Sequence, residues 1–264
     1  MRNVFITTIA TLAIAGVAHA EGTAPAATGP VISGEVELTF TQDANDDWGG
    51  AMGLDLDVNA SGLATIDLDF SATDGNNLTL DNWTVGTTVA GVGVAVGDDN
   101  GVMPGAEGEQ TLAAPAMTES IMVSTGAASV AVGFTDWTTD VTDVSNVQGA
   151  YTFSAGDIAL TAAADYNMDS ENTVLGAGVG GIDLGVASLG GAATYDMDAE
   201  VFGFESVVTT GGITAYANGD DTDALQNVGG EYTYMLGGAE LEGAVNYNMD
   251  SEEFTPSVTV GFNF

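Results

Sequence analysis

The stretch LDLDVNASGLATIDLDF, Leu54 to Phe70, decides the fold. Leu54, Leu56 and Val58 alternate with Asp55, Asp57 and Asn59. After the small, uncharged connection Ala60-Ser61-Gly62, Ile66, Leu68 and Phe70 alternate with Asp67 and Asp69. Successive side chains of a strand point to opposite faces, so a period of two is the signature of a strand with one apolar and one polar face. The same pattern continues outward in both directions. Val36, Leu38 and Phe40 interleave with Glu35, Glu37, Thr39 and Thr41. Leu241, Val245 and Tyr247 oppose Glu240, Glu242 and Asn246. Stripes of period 3.6 are absent after the first twenty residues.

Sixteen such strands are read between residues 32 and 264, with 14 or 18 as alternative counts. In this reading Gly180-Gly181 is a turn between strands at 172–179 and 181–195, with a bulge or an extra turn near Gly190-Gly191. Connections fall into two alternating classes. One is tight and almost uncharged, as at Ala90-Gly91, Gly211-Gly212 and Gly237-Gly238. The other is longer and acidic, as at Asp98, Asp99, Glu107 and Glu109, or at Asp220, Asp221 and Asp223. Alternate connections of an up-and-down antiparallel sheet emerge on the same side. The fold expected is therefore all-β, with a short-turn rim and a long acidic rim. Strands of about ten residues joined this way describe a transmembrane β-barrel.

Composition narrows the function. The chain of 264 residues has 38 Asp and Glu, one Lys or Arg, one His and no Cys, for a formal net charge of −37. The base is Arg2 and the imidazole is His19. Both lie in residues 1–20, which read as a signal peptide: Arg2, an apolar run to Val17, then Ala18-His19-Ala20 as a small-x-small cleavage site. Residues 21–264 then form a single domain without Lys, Arg, His or Cys. Catalysis by a His base, a Lys Schiff base, a Cys nucleophile or a Ser-His-Asp triad lacks its groups, and no enzyme is expected. Nucleic acid is excluded as a partner, since no side-chain cation could displace phosphate counterions. At 45% hydrophobic residues the chain is too apolar for a solvated acidic coil. No later apolar run reaches the roughly 18 residues of a spanning helix.

With lipid outside such a barrel, the polar parity must face the lumen, because a charge on the lipid face costs kilocalories. Glu35, Glu37, Asp55, Asp57, Asp67, Asp69 and Asp81 share that parity on the first four strands. They either solvate a wet interior or form a negative ladder that attracts cations. A repeat has two readings as well. Asp165-Tyr166-Asn167-Met168-Asp169-Ser170-Glu171 recurs as Asn246-Tyr247-Asn248-Met249-Asp250-Ser251-Glu252, and more loosely from Thr194 to Glu200. It is a shared hairpin tip or a divalent-cation site. No complete EF-hand spacing occurs. Diffuse Ca²⁺ or Mg²⁺ binding is expected at Asp220, Asp221 and Asp223, with structural Ca²⁺ or Mg²⁺ as the only cofactor considered.

Gly230–Phe264, GEYTYMLGGAELEGAVNYNMDSEEFTPSVTVGFNF, resembles the last two hairpins of alphaproteobacterial general porins. Val96–Asp99 followed by Pro104-Gly105 resembles the fifth strand of that family running into its inward-folded third loop. Ile32–Val36 resembles its first strand, and Phe264, with Phe262 on the same parity, its aromatic C-terminal assembly signal. The resemblance implies a homotrimer of sixteen-stranded barrels in the outer membrane of a Gram-negative bacterium. Its partners would be lipid, the barrel-assembly machinery, and the small cations and neutral solutes that pass. Asp98, Asp99, Glu107 and Glu109 would lie in the third loop and face the wall acids. General porins pair that loop with a basic cluster on the wall; here no base exists, so one sign of charge is expected along the whole passage. The alternative reading is a secreted, calcium-binding, β-rich surface-layer or adhesin protein.

Overall fold

The alternating segments become strands in the computed structural model, which describes residues 30–42, 48–60, 63–73, 78–98, 101–104, 117, 119–135, 143–156, 158–221 and 225–264. In chain order these are β1 Val31–Gln42, β2 Trp48–Asn59, β3 Thr65–Thr73, β4 Thr79–Val89, β5 Val92–Gly97, β6 Ser120–Thr125, β7 Ala128–Phe134 and β8 Val144–Ala155. The second half comprises β9 Ile158–Asn167, β10 Thr173–Asp183, β11 Ser188–Asp196, β12 Val201–Thr210, β13 Ile213–Asp220, β14 Asn227–Leu236, β15 Ala239–Asn248 and β16 Glu253–Asn263. Each pairs antiparallel with its sequence neighbours, and β16 returns to β1, so the sheet is a closed barrel of sixteen strands. No helix occurs among the described residues. Residues 1–20, read above as a signal peptide, lie outside them.

Closure follows from the register. Glu35 opposes Asn263 and Thr41 opposes Ser257 across the β1–β16 seam. Gly34 and Phe264 then exchange backbone hydrogen bonds of 3.2 and 3.0 Å. A closed sheet has no edge at which another chain could add a strand. Pro256, which lacks an N–H, sits one residue past the last β1 pair, where that ladder has already ended.

The two rims differ as the connections predict. Ala90 and Gly91 turn at φ 53° and 83°, and Gly211 and Gly212 at 56° and 82°. Positive φ at both central residues marks the tight turn whose twist matches that of paired strands. On the other rim the repeated motif is a shared hairpin tip. Asn167 Oδ1 accepts the N–H groups of Asp169 and Ser170, and Asn248 Oδ1 accepts those of Asp250 and Ser251. Asp196 does the same for Asp198 and Ala199. Each tip closes on a glutamate at positive φ: Glu171, Glu200 or Glu252. The methionine amides of the tips donate to the preceding hairpin, as Met168 to Ser145 O at 2.8 Å and Met249 to Gln226 O at 2.7 Å. These three tips are therefore tied to the hairpins before them.

One boundary differs from the sequence reading. Gly180-Gly181 is not a turn; β10 continues to Asp183, with a register shift between Val179 and Ile182. The chain turns at Leu184–Ala187, where Leu184 N–H donates to Ala187 O at 2.8 Å. Asp183 Oδ1 accepts the Gly185 N–H at 2.6 Å, and Gly185 takes φ 83°. The paired glycines absorb a bulge, and the Asp-Leu-Gly sequence supplies the turn.

Alternation assigns the two faces. Val36–Leu54 and Leu38–Met52 pair on one face of β1–β2, and Glu35–Asp55 on the other. The apolar face is outside: Ile32, Phe40, Val123, Tyr151, Phe153, Leu175, Tyr232 and Val258 are exposed there. The polar face surrounds the lumen.

Candidate functional site

The third long connection, between β5 and β6, brings residues 101–104 inside the barrel. It leaves the wall at Gly97 and Asp98, whose N–H donates to Trp83 O at 2.8 Å. Residues 101–104 then lie against β8–β10, three to five strands further round the barrel from β5. Val102 N–H donates to Gln148 Oε1 of β8 at 2.8 Å. A Cβ at Gly176 of β10 would approach Met103 Cε to 2.8 Å and Pro104 Cδ to 2.9 Å; one at Gly178 would approach Pro104 Cβ to 2.7 Å. Those glycines are on the lumenal parity, so residues 101–104 lie inside the barrel and rest on β8–β10.

Its seat is polar but uncharged, apart from one acid. Asn146, Gln148 and Asp165 are 2, 1 and 1% exposed. Asn146 Nδ2 donates to Asp165 Oδ1 at 2.9 Å and Ser145 Oγ donates to Asn146 Oδ1 at 3.0 Å. Asp165 Oδ2 has no partner among the described residues. Met117 packs 3.0 Å from where a Cβ on Gly133 would stand. Sequence reading missed this seat. Two signals for it existed: an amide pair at Asn146 and Gln148, and Gly176 and Gly178 on one parity.

The predicted wall acids face the lumen elsewhere. Asp55 opposes both Glu35 and Asp69, and Asp57 opposes Asp67. Carboxylate oxygens of Asp55, Asp57 and Asp67 lie within 4.8 Å of one another, and all three residues are exposed. Like charges directly opposite on adjacent strands repel, so this row costs stability. Glu37 is one step along β1, opposite Gly53. The same lumenal parity continues through Glu205, Asp220, Glu231, Glu240, Glu242 and Glu253 on β12–β16, all absent from the predicted wall. Their alternation with apolar neighbours was the available signal.

Other predicted residues fall differently. Asp81 is not on the acid row. The β3–β4 ladder pairs Asp69 with Asn82 and Phe70 with Leu80, leaving Asp81 as the extra residue of a bulge. Its Oδ1 accepts Thr79 Oγ1 at 3.3 Å. A bulge resets parity, and alternation alone does not reveal it. Asp98 stands at the root of the third loop, half-buried. Asp99, Glu107, Glu109 and Asp223 lie outside the described residues. Asp220 Oδ2 accepts Gln226 Nε2 at 2.8 Å and Asp221 Oδ1 accepts Phe202 N–H at 3.1 Å, so both brace the rim. Phe262 pairs with Val36 and Ala239 on the outward face.

No family model and no curated protein matches the chain. Solved structures do. A mutant of the porin of Rhodobacter blastica is 16% identical over 89% of this chain and 100% of its own, with a TM-score of 0.60. The anion-selective porin of Comamonas acidovorans is 13% identical over 89% and 98%, with a TM-score of 0.54. OprB of Pseudomonas putida, in a low-pH structure, is 10% identical over 89% and 93%, with a TM-score of 0.57. At these identities the likeness is one of fold: the closed, up-and-down barrel of porins.

Proposed function

We propose that the chain is an outer-membrane porin of a Gram-negative bacterium, a passive diffusion channel for small hydrophilic solutes that prefers cations. The observation that carries the reading is the division of the lumen. Residues 101–104 rest on β8–β10, where Asp165 is the one acid of the seat, and the acid row of β1–β3 lies on another part of the wall. The exposed apolar outer wall suits lipid, and closure removes the edges an interfacial layer protein would use. A trimeric general porin and an assembly signal at Phe264 remain part of the proposal, supported by the C-terminal resemblance. Diffuse Ca²⁺ or Mg²⁺ at the acidic rim belongs to it too.

Selectivity follows from sign. After His19 the sequence holds no base, so no fixed side chain offsets the carboxylates. Two unit charges at 4 Å interact by about 1 kcal/mol in water, and several-fold more where confinement lowers the effective dielectric. A passage lined by one sign concentrates counter-ions and excludes co-ions. The test is the reversal potential of the purified protein in a planar bilayer under a KCl gradient. The expected result is a strong K⁺ preference, largest at low salt. Equal K⁺ and Cl⁻ permeability would contradict the assignment of the acid parity to the conduction path.

A further inference from the structure

The lumenal wall also contains a hollow that bulk charge does not explain. Tyr216, midway along β13, faces inward yet is only 8% exposed. Its ring lies down over Gly229, its partner on β14, where any Cβ would collide with the ring's Cζ and Oη. On its other side Gly229 pairs with Asn246 of β15. The Oδ1 of Asn246 is closed off from solvent and has no hydrogen-bond partner among the described residues. Around these residues the wall encloses a cavity of about 330 Å³ that extends across β15 and β16 to β1. Glu37 and Glu242 line it, together with hydroxyl-bearing Thr41, Thr255 and Ser257.

The lining specifies a ligand class. Two carboxylates call for positive charge. An aromatic ring favours a cation near its face. A bare metal ion would answer the charge but leave the ring and most of the hydroxyls of the lining without a partner. Hydroxyls around the hollow can both donate to and accept from a polyhydroxy framework. We propose that this cavity binds a small hydroxylated organic ammonium ion, of the aminosugar class, on its way through the barrel. The proposal rests on the reading of the lumen as a path for cations. It adds a stopping place whose recognition is chemical as well as electrostatic.

Glucosammonium chloride is the probe, titrated by calorimetry into the folded barrel in detergent, with glucose and KCl in parallel. Saturable binding of glucosammonium is expected, with glucose at least about tenfold weaker, the effect of losing one charge-assisted contact. Glu242→Gln, close to isosteric, should weaken glucosammonium by about tenfold for the same reason. Tyr216→Leu should weaken it about threefold, the effect of a partly exposed cation–π contact. Glu200→Gln, at an exposed hairpin tip, removes the same charge and should change nothing. Heat-dependent gel migration reports whether each variant folds. No binding, equal binding of glucose, or unchanged affinity in folded Glu242→Gln would overturn the proposal. The KCl-gradient potential separates the two ideas. A cation-selective channel without glucosammonium binding defeats this inference alone, whereas equal K⁺ and Cl⁻ permeability defeats the channel reading whatever the calorimetry gives.

Discussion

The inner walls of β1–β3 and of β8–β10 are built from the same alternation and end in opposite environments. On β1–β3 the inward positions are Glu35, Glu37, Asp55, Asp57, Asp67 and Asp69, and Asp55, Asp57 and Asp67 are exposed to the lumen. On β8–β10 the inward positions include Asn146, Gln148, Asp165, Gly176 and Gly178, and the third loop covers them. One wall repels itself and keeps water; the other has little charge, no bulk and a loop on top. The difference shows that the outward parity specifies only a barrel, while the inward parity divides the circumference into a passage and a seat. At the passage, crowded carboxylates reduce stability and set the electrostatic sign.

The most direct way to break this contrast is to fill the seat. Gly176→Leu with Gly178→Leu places side chains where Met103 and Pro104 now lie. Overpacking costs typically 1–3 kcal/mol per site, so the variant should lose about 2–6 kcal/mol or release the loop instead. Release should raise single-channel conductance and lower cation selectivity. A conductance equal to that of the parent in a folded variant would mean the loop does not narrow the lumen.

Next in size is neutralising the opposite wall. Asp55→Asn, Asp57→Asn and Asp67→Asn together remove a cluster whose oxygens lie within 4.8 Å of one another. Losing about 1 kcal/mol of cation stabilisation should cut the K⁺ over Cl⁻ permeability ratio about fivefold. Thermal stability should rise, since each opposed like-charge pair costs about 0.2–1 kcal/mol. A triple variant that melts lower would show that bound cations, not repulsion, dominate at that wall.

The contrast was partly legible in the sequence. Alternation gives all sixteen strands, because a half-buried strand imposes it residue by residue. It also puts Asp55, Asp57, Asp67 and Asp69 on one face, since a tight turn preserves parity from β2 to β3. It fails at Asp81, where a bulge adds one residue, and at Gly180-Gly181, where a glycine pair serves a bulge as readily as a turn. The seat is illegible for another reason. Val102 meets Gln148 46 residues away in sequence, and no local pattern encodes a contact between a loop and a wall strand that is not its neighbour. Tyr216 was equally hidden, because a tyrosine on the lumenal parity does not announce the glycine that lets it lie flat.

Salt should sharpen the contrast more gently. Raising ionic strength from 0.1 to 1 M shortens the screening length from about 10 to about 3 Å. Repulsion along the acid wall and rim should weaken, so the melting temperature should rise with salt or with millimolar Ca²⁺ or Mg²⁺, and fall on adding EDTA at low salt. The triple Asp→Asn variant should respond less than the parent. A melting temperature indifferent to salt and chelator would argue against repulsion as a cost.

The smallest effect is expected from the same chemical change made on the other side. Asp165→Asn removes a carboxylate from β9, as Asp57→Asn does from β2. Asp165 is 1% exposed beneath the third loop, whereas Asp57 is exposed in the passage. The field of Asp165 therefore reaches a permeating ion across packed protein rather than at contact. Locally the exchange is well tolerated. An asparagine oxygen can still accept the 2.9 Å hydrogen bond from Asn146 Nδ2, and its amide would occupy the position of the unpartnered Oδ2. Removing a buried charge also removes its desolvation cost. Asp165→Asn should therefore leave the KCl-gradient reversal potential nearly unchanged and leave stability equal or higher, while Asp57→Asn shifts the potential toward zero. If Asp165→Asn moved the potential as far as Asp57→Asn, the ion path would run along β8–β10, and the seat and the passage would have to exchange places.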